Sequence, residues 1–74
     1  MNPPTLQRGA NGADVQKLQG DLTRLGYSVG AIDGDFGANT EQAVIKFQQD
    51  NNLSTDGVVG RQTGQALGKA LSQG

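Results

Sequence analysis

Two twelve-residue stretches, DGDFGANTEQAV at 33–44 and DGVVGRQTGQAL at 56–67, repeat at an offset of 23 residues. Asp, Gly, Gly, Thr, Gln and Ala coincide at six of the twelve positions, and Val44 corresponds to Leu67. In each copy Asp-Gly turns the chain, the second Gly permits a positive φ, and the Thr falls in the first turn of a helix. GANGADVQKLQ, at 9–19, is a looser third copy of the same turn-then-helix logic. Glycine turns at this spacing leave room only for short helices, and three units are too few for a solenoid. The expectation is an all-α chain: a compact three-helix bundle containing two DG-x-x-G turn-helix repeats.

The apolar spacing predicts where those helices lie. Val15, Leu18, Leu22 and Leu25 recur at steps of three and four, with Asp14 in the first turn and Gly26 placed for a left-handed C-terminal cap. Gly20 interrupts this helix on its outer side. A second helix is expected from Asn39, with Asn39 and Gln42 as an N-cap and its reciprocal partner. Its inner face is Thr40, Ala43, Val44 and Phe47, and Asn52, which tolerates a left-handed backbone, terminates it. Ile45 falls off that face and is expected to be exposed. The third helix spans 61–71 and turns Thr63, Ala66, Leu67, Ala70 and Leu71 inward.

Composition removes most chemistry. The 74 residues contain no Cys and no His, so a thiolate nucleophile, a disulfide and the usual neutral-pH general base are all missing. The six cations are scattered singly among seven acids, which leaves no basic stripe for nucleic acid. The longest apolar runs are far shorter than the roughly 20 residues that cross a bilayer, and MNPPTLQR has no secretory apolar stretch. Neither nucleic acid nor membrane is an expected partner.

Asp33, Asp35, Asn39 and Glu41 invite a calcium-loop reading, but Gly37, Ala38 and Val44 stand at the fifth, sixth and twelfth positions counted from Asp33. Turn and cap roles account for these residues better. Asp33 and Asp35, as a hydrolytic carboxylate pair, have little apolar surface nearby to raise either pKa. No catalytic residue, metal site or cofactor is expected.

The ordered set Val15, Leu18-Gln19, Leu25-Gly26-Tyr27, DGDFG at 33–37, Thr40, Ala43-Val44, Phe47-Gln48, Leu53, DGVVG at 56–60, Thr63 and Leu67 resembles the peptidoglycan-binding domain family of bacterial and phage cell-wall hydrolases. The resemblance implies a three-helix fold that attaches to peptidoglycan without catalysis, over residues 6–71, with a tail at 1–5 and the start of a linker at 72–74. It departs from the family where Ala38 and Arg61 replace Pro, where Asn52 replaces Gly, and where Gly64 removes a bulky side chain. The last change opens a shallow hollow against the third helix.

For such a ligand, an aromatic face and a few polar groups are needed. The candidate ligand residues are Tyr27, Asp35, Phe36, Asn39 and Arg61. Asp35 stands out because the second repeat carries Val58 in its place, so the turn does not require it. Arg61 carries a fork suited to carboxylates. Phe36 suits a core plug as well as a ligand face, and Asp33 and Asp56 read as turn-formers. The resemblance implies a monomer bound to peptidoglycan, glycan and stem peptide, acting at the bacterial cell wall or periplasm beside a catalytic hydrolase domain in the same chain. The opening Met fits the N-terminal module of a phage endolysin or bacterial autolysin. The alternative is a protein-interaction module, similar to a pro-domain, that binds its own catalytic domain.

Overall fold

Glycine and asparagine set the helix ends in the computed structural model, which describes residues 5–73. Helix α1 spans Ala13–Arg24, α2 spans Ala38–Asp50 and α3 spans Arg61–Gln73. The N-terminal tail expected at 1–5 lies, except for Thr5, outside the described residues. Helix α3 continues through Ser72 and Gln73, two residues past its expected end.

Two of the three helices end in the same way. Beyond α1, Gly26 takes φ 95°, its N–H donates to the Thr23 carbonyl, and the Tyr27 N–H reaches back to the Leu22 carbonyl at 2.8 Å. Beyond α2, Asn52 takes φ 58°, its N–H donates to the Gln49 carbonyl, and the Leu53 N–H reaches the Gln48 carbonyl at 2.8 Å. Both are Schellman caps, which satisfy carbonyls the helix leaves open. Asn52 is the only non-glycine residue with positive φ among those described.

The helix starts differ from expectation in two respects, the first being that the positive φ falls on the first glycine of each repeat, Gly34 and Gly57, and not on the second, Gly37 and Gly60. Asn39 does not cap α2: Gly37 holds the N-cap position, with no side-chain bond. Ala38 already has helical geometry, so Asn39 stands inside the first turn, and its side-chain amide lies over Gly30 instead.

Helix α1 is the central element and packs against both α2 and α3. The core joins Val15, Leu18 and Leu22 of α1 to Ala43, Val44 and Phe47 of α2 and Leu67 of α3. Val29, Phe36 and Val59, from the connections, complete it. Thr40 and Thr63 are buried as expected, while Ile45 is half-buried, not exposed.

The N-terminal segment is bonded to both repeat turns. Leu6 exchanges N–H and C=O bonds with Val59 at 3.0 and 2.7 Å, and Phe36 is held between the Gly9 N–H and the Ala10 carbonyl at 3.0 and 2.9 Å. Phe36 and Val59 occupy the same place in their repeats. These contacts form two isolated antiparallel bridges, Leu6 with Val59 and Asn11 with Asp35.

Candidate functional site

Each repeat turn is closed from inside by a glutamine. Gln19 Nε2 donates to Asp33 Oδ1, the Asp35 carbonyl and Thr40 Oγ1 at 3.2, 2.9 and 3.0 Å, and its Oε1 accepts the Gly34 N–H at 2.9 Å. Asp33 Oδ1 also accepts the Asp35 N–H at 2.9 Å, forming an Asx turn. These two donors hold the Asp33 carboxyl below its ordinary value, the backbone N–H of Asp35 contributing most. Asp56 is lowered in the same way by the Val58 N–H and Gln48. Both aspartates therefore shape the turns.

That turn presents the first candidate surface. A hollow of about 290 Å³ is lined by Asp35, Asn39, Ala31 and Val29. The backbone N–H and C=O of Asp35 are used by the turn, and Asp35 is exposed where it lines the hollow. Asp35 and Asn39 are the two sequence-derived candidates that the fold brings together.

The other three lie apart. Tyr27 sits at the far end of α2, where its hydroxyl donates to Asp50 and its ring meets Phe47 edge-on, centroids 5.7 Å apart at 83°. Asp50 is eleven positions from Asn39, about 16 Å of helix rise. The hydrogen bond to Asp50, with burial and the charge of Asp50 adding to it, pushes the Tyr27 hydroxyl up to about 12. Phe36 is 3% exposed and fills the core, so of its two roles the fold assigns the plug and its ring offers no face to a ligand.

Arg61, exposed at the start of α3, lines a second surface: a groove of about 480 Å³ between α1 and α3. Its apolar wall is Leu6, Leu18, Val59, Leu67 and Leu71. Gly60, Gly64 and Gly68 recur every four residues along it, and a Cβ built on any of them meets nothing within 4 Å. The hollow expected from Gly64 is present. Lys17 and Asp21 pair across one turn of the rim at 3.7 Å, while Asp14 and Arg61 make no ion pair among the described residues. The sequence reading missed the α1 side of this groove. The four-residue glycine spacing was its visible signal.

Among the described residues no three acidic side chains converge on a metal-sized site, and no helix is long and apolar enough to cross a membrane. Compared with known families, residues 11–67 match the model of a peptidoglycan binding domain. The chain belongs to this peptidoglycan-binding family. It is 45% identical over 65 residues to the spore cortex-lytic enzyme of Bacillus cereus, covering 88% of this chain and 25% of that protein. The crystal structure of the SleB N-terminal domain superposes with a TM-score of 0.88 at 43% identity, over 90% of this chain and 92% of that one. A Burkholderia AP3 phage endolysin superposes with a TM-score of 0.83 at 39% identity, over 86% of this chain and 24% of that one. The chain thus spans about a quarter of the length of the curated relatives it matches first. The matched residues include both DG-x-x-G turns of this chain, together with Arg61 and Gly64.

Proposed function

We propose that the chain is a non-catalytic module that binds peptidoglycan and keeps a hydrolase domain of the same polypeptide at the bacterial cell wall. The observation that carries this reading is the family match over residues 11–67, which takes in both repeat turns and the starts of all three helices. Relatives named as a spore cortex-lytic enzyme and an N-acetylmuramoyl-L-alanine amidase share only this portion, 25% and 14% of their lengths. The gain from such a module is effective concentration: the tethered enzyme meets its bond as an intramolecular event. The domain works as a monomer, with Asp35 and Asn39 in the turn hollow and Arg61 in the groove as wall contacts.

Pelleting of the purified domain with sacculi, against a wall-free control, tests the reading. The expected result is co-sedimentation that saturates with added protein. A domain that stays in solution at tens of micromolar, or that binds only a catalytic domain, would overturn it.

A further inference from the structure

Sugar recognition leans on an aromatic platform, and every aromatic residue of this chain has a place. The chain has two Phe, one Tyr and no Trp. Phe36 and Phe47 are buried in the core, and Tyr27 is edge-packed on Phe47 with its hydroxyl committed to Asp50. No ring lines the α1–α3 groove, which nevertheless is the larger of the two surfaces and falls within the roughly 300–1,000 Å³ range of ligand clefts. Its chemistry is that of a peptide. The floor is aliphatic, the glycines leave space at methyl-group scale, and the rim carries one unpaired guanidinium and one unpaired carboxylate.

We propose that this groove is the subsite for the stem peptide of peptidoglycan, with Arg61 holding a peptide carboxylate, Asp14 facing the side-chain amine, and the Gly64 stripe receiving alanine methyl groups. The proposal rests on the binding function argued above and assigns that function's peptide part to one surface. Charge complementarity selects the occupant: with Lys17 and Asp21 paired to each other, the rim keeps one unpaired charge of each sign among the described residues, which a short peptide with free carboxylates and an ammonium matches and a neutral glycan chain does not use. The guanidinium fork of Arg61 gives two parallel bonds to a carboxylate.

The test uses the free tetrapeptide, in diaminopimelate and lysine forms, and a soluble N-acetylglucosamine oligomer as the neutral glycan, because strands stripped by an amidase expose a lactyl carboxylate on each muramic acid. Addition of tetrapeptide is expected to shift the amide resonances of Gly60, Gly64 and Gly68 and to release the domain from sacculi. Arg61→Ala and Gly64→Phe are each expected to weaken sacculus binding by about tenfold or more, at a melting temperature no lower than that of the parent. Because Gly64→Phe perturbs a helix face, Asp14→Asn, at an exposed position, serves as an independent variant and lowers affinity for the tetrapeptide. If sacculi pellet the domain while the glycan oligomer releases it and the tetrapeptide neither releases it nor shifts a groove amide, the stem-peptide assignment is wrong and the module reading stands. If intact sacculi pellet nothing, both fall. Concentration-dependent self-association that Gly64→Phe abolishes would give the groove to a second copy of the chain and would also overturn the assignment.

Discussion

Gln19 and Gln48 make the same set of four hydrogen bonds in two different turns. Gln48 Nε2 donates to Asp56 Oδ1, the Val58 carbonyl and Thr63 Oγ1 at 3.0, 3.0 and 3.1 Å, and its Oε1 accepts the Gly57 N–H at 3.0 Å. Each partner is the repeat equivalent of one bonded by Gln19. Both glutamines are essentially buried, at 1% and 0% exposure, and no buried side-chain nitrogen or oxygen among the described residues lacks a partner. A domain of this size without disulfide or metal needs such reinforcement.

Removing either amide strands its partners. Gln19→Leu and Gln48→Leu each leave a buried backbone N–H and a threonine hydroxyl without their bond. At about 1–3 kcal/mol for each orphaned group, each variant is expected to lose roughly 2–4 kcal/mol. Thermal unfolding followed by circular dichroism should then show a melting temperature lower by about 10 °C or more. A drop in one variant and none in the other would break the equivalence of the two turns.

The turn aspartates predict the acid limb of stability. Asp33 and Asp56 have folded-state values below the ordinary 3.8. A depressed value means the contribution is complete above about 3.8 and is lost as pH falls through the lower folded-state value. In each turn both donors converge on one carboxylate oxygen, Oδ1, which an asparagine retains. Asp33→Asn with Asp56→Asn should therefore fold at pH 7 and show a flatter decline below pH 4 in urea titrations than the parent.

Tyr27 predicts the alkaline limb. As the sole tyrosine in a chain without tryptophan, its ionisation can be read directly by ultraviolet absorbance. The midpoint is expected near 12, against 10.0 for a free side chain. With the folded value raised, the contribution of this contact is intact below pH 10 and disappears as pH rises through about 12. In Asp50→Asn the midpoint moves back toward 10. A parent midpoint at 10 would mean that the Tyr27–Asp50 bond is absent in solution.

Alanine at two kinds of glycine should act with opposite sign. Gly64 is helical with open space around a new Cβ, so Gly64→Ala gains about 1 kcal/mol from helix propensity. Gly34 has φ 79°, and a Cβ there would stand 3.3 Å from the Gly12 carbonyl oxygen. Gly34→Ala loses about 1–2 kcal/mol from the left-handed backbone alone. Denaturant midpoints of the two proteins, measured together, decide the signs.

How far the sequence discloses this fold depends on the range of each interaction. Gly26 and Asn52 were readable because a helix end is local, and Val15, Leu18, Leu22, Val44, Phe47 and Leu67 because helical spacing exposes a face. The glutamine braces were not, although both residues stand in the family pattern. Gln19 reaches an aspartate 14 positions on and Gln48 one 8 positions on, so the braces do not share the 23-residue offset that reveals the turns. The first glutamine stands six residues further from its aspartate than the second, and a search by fixed period passes over the pair. Val29 and Val59 joined the core from connections that have no periodicity to read. At the candidate site, Asp35 was legible through its asymmetry with Val58, while Asn39 was misread as a cap because its amide packs over Gly30, a contact that only the folded chain creates.

The bonds that join Leu6 to Val59 have a consequence for synthesis. A chain emerging from the ribosome can wind α1 and close its first turn early, since Gln19 and Thr40 are near in sequence. The N-terminal segment, however, finds its second partner only when residue 59 has appeared, 53 positions later. Such distant pairing slows folding relative to a bundle held by neighbours. Completion is therefore a late event: a nascent chain cut before Val59 leaves Leu6 without either of its backbone bonds, and leaves Gln48, which already has Asp56, Gly57 and Val58, without the Thr63 hydroxyl.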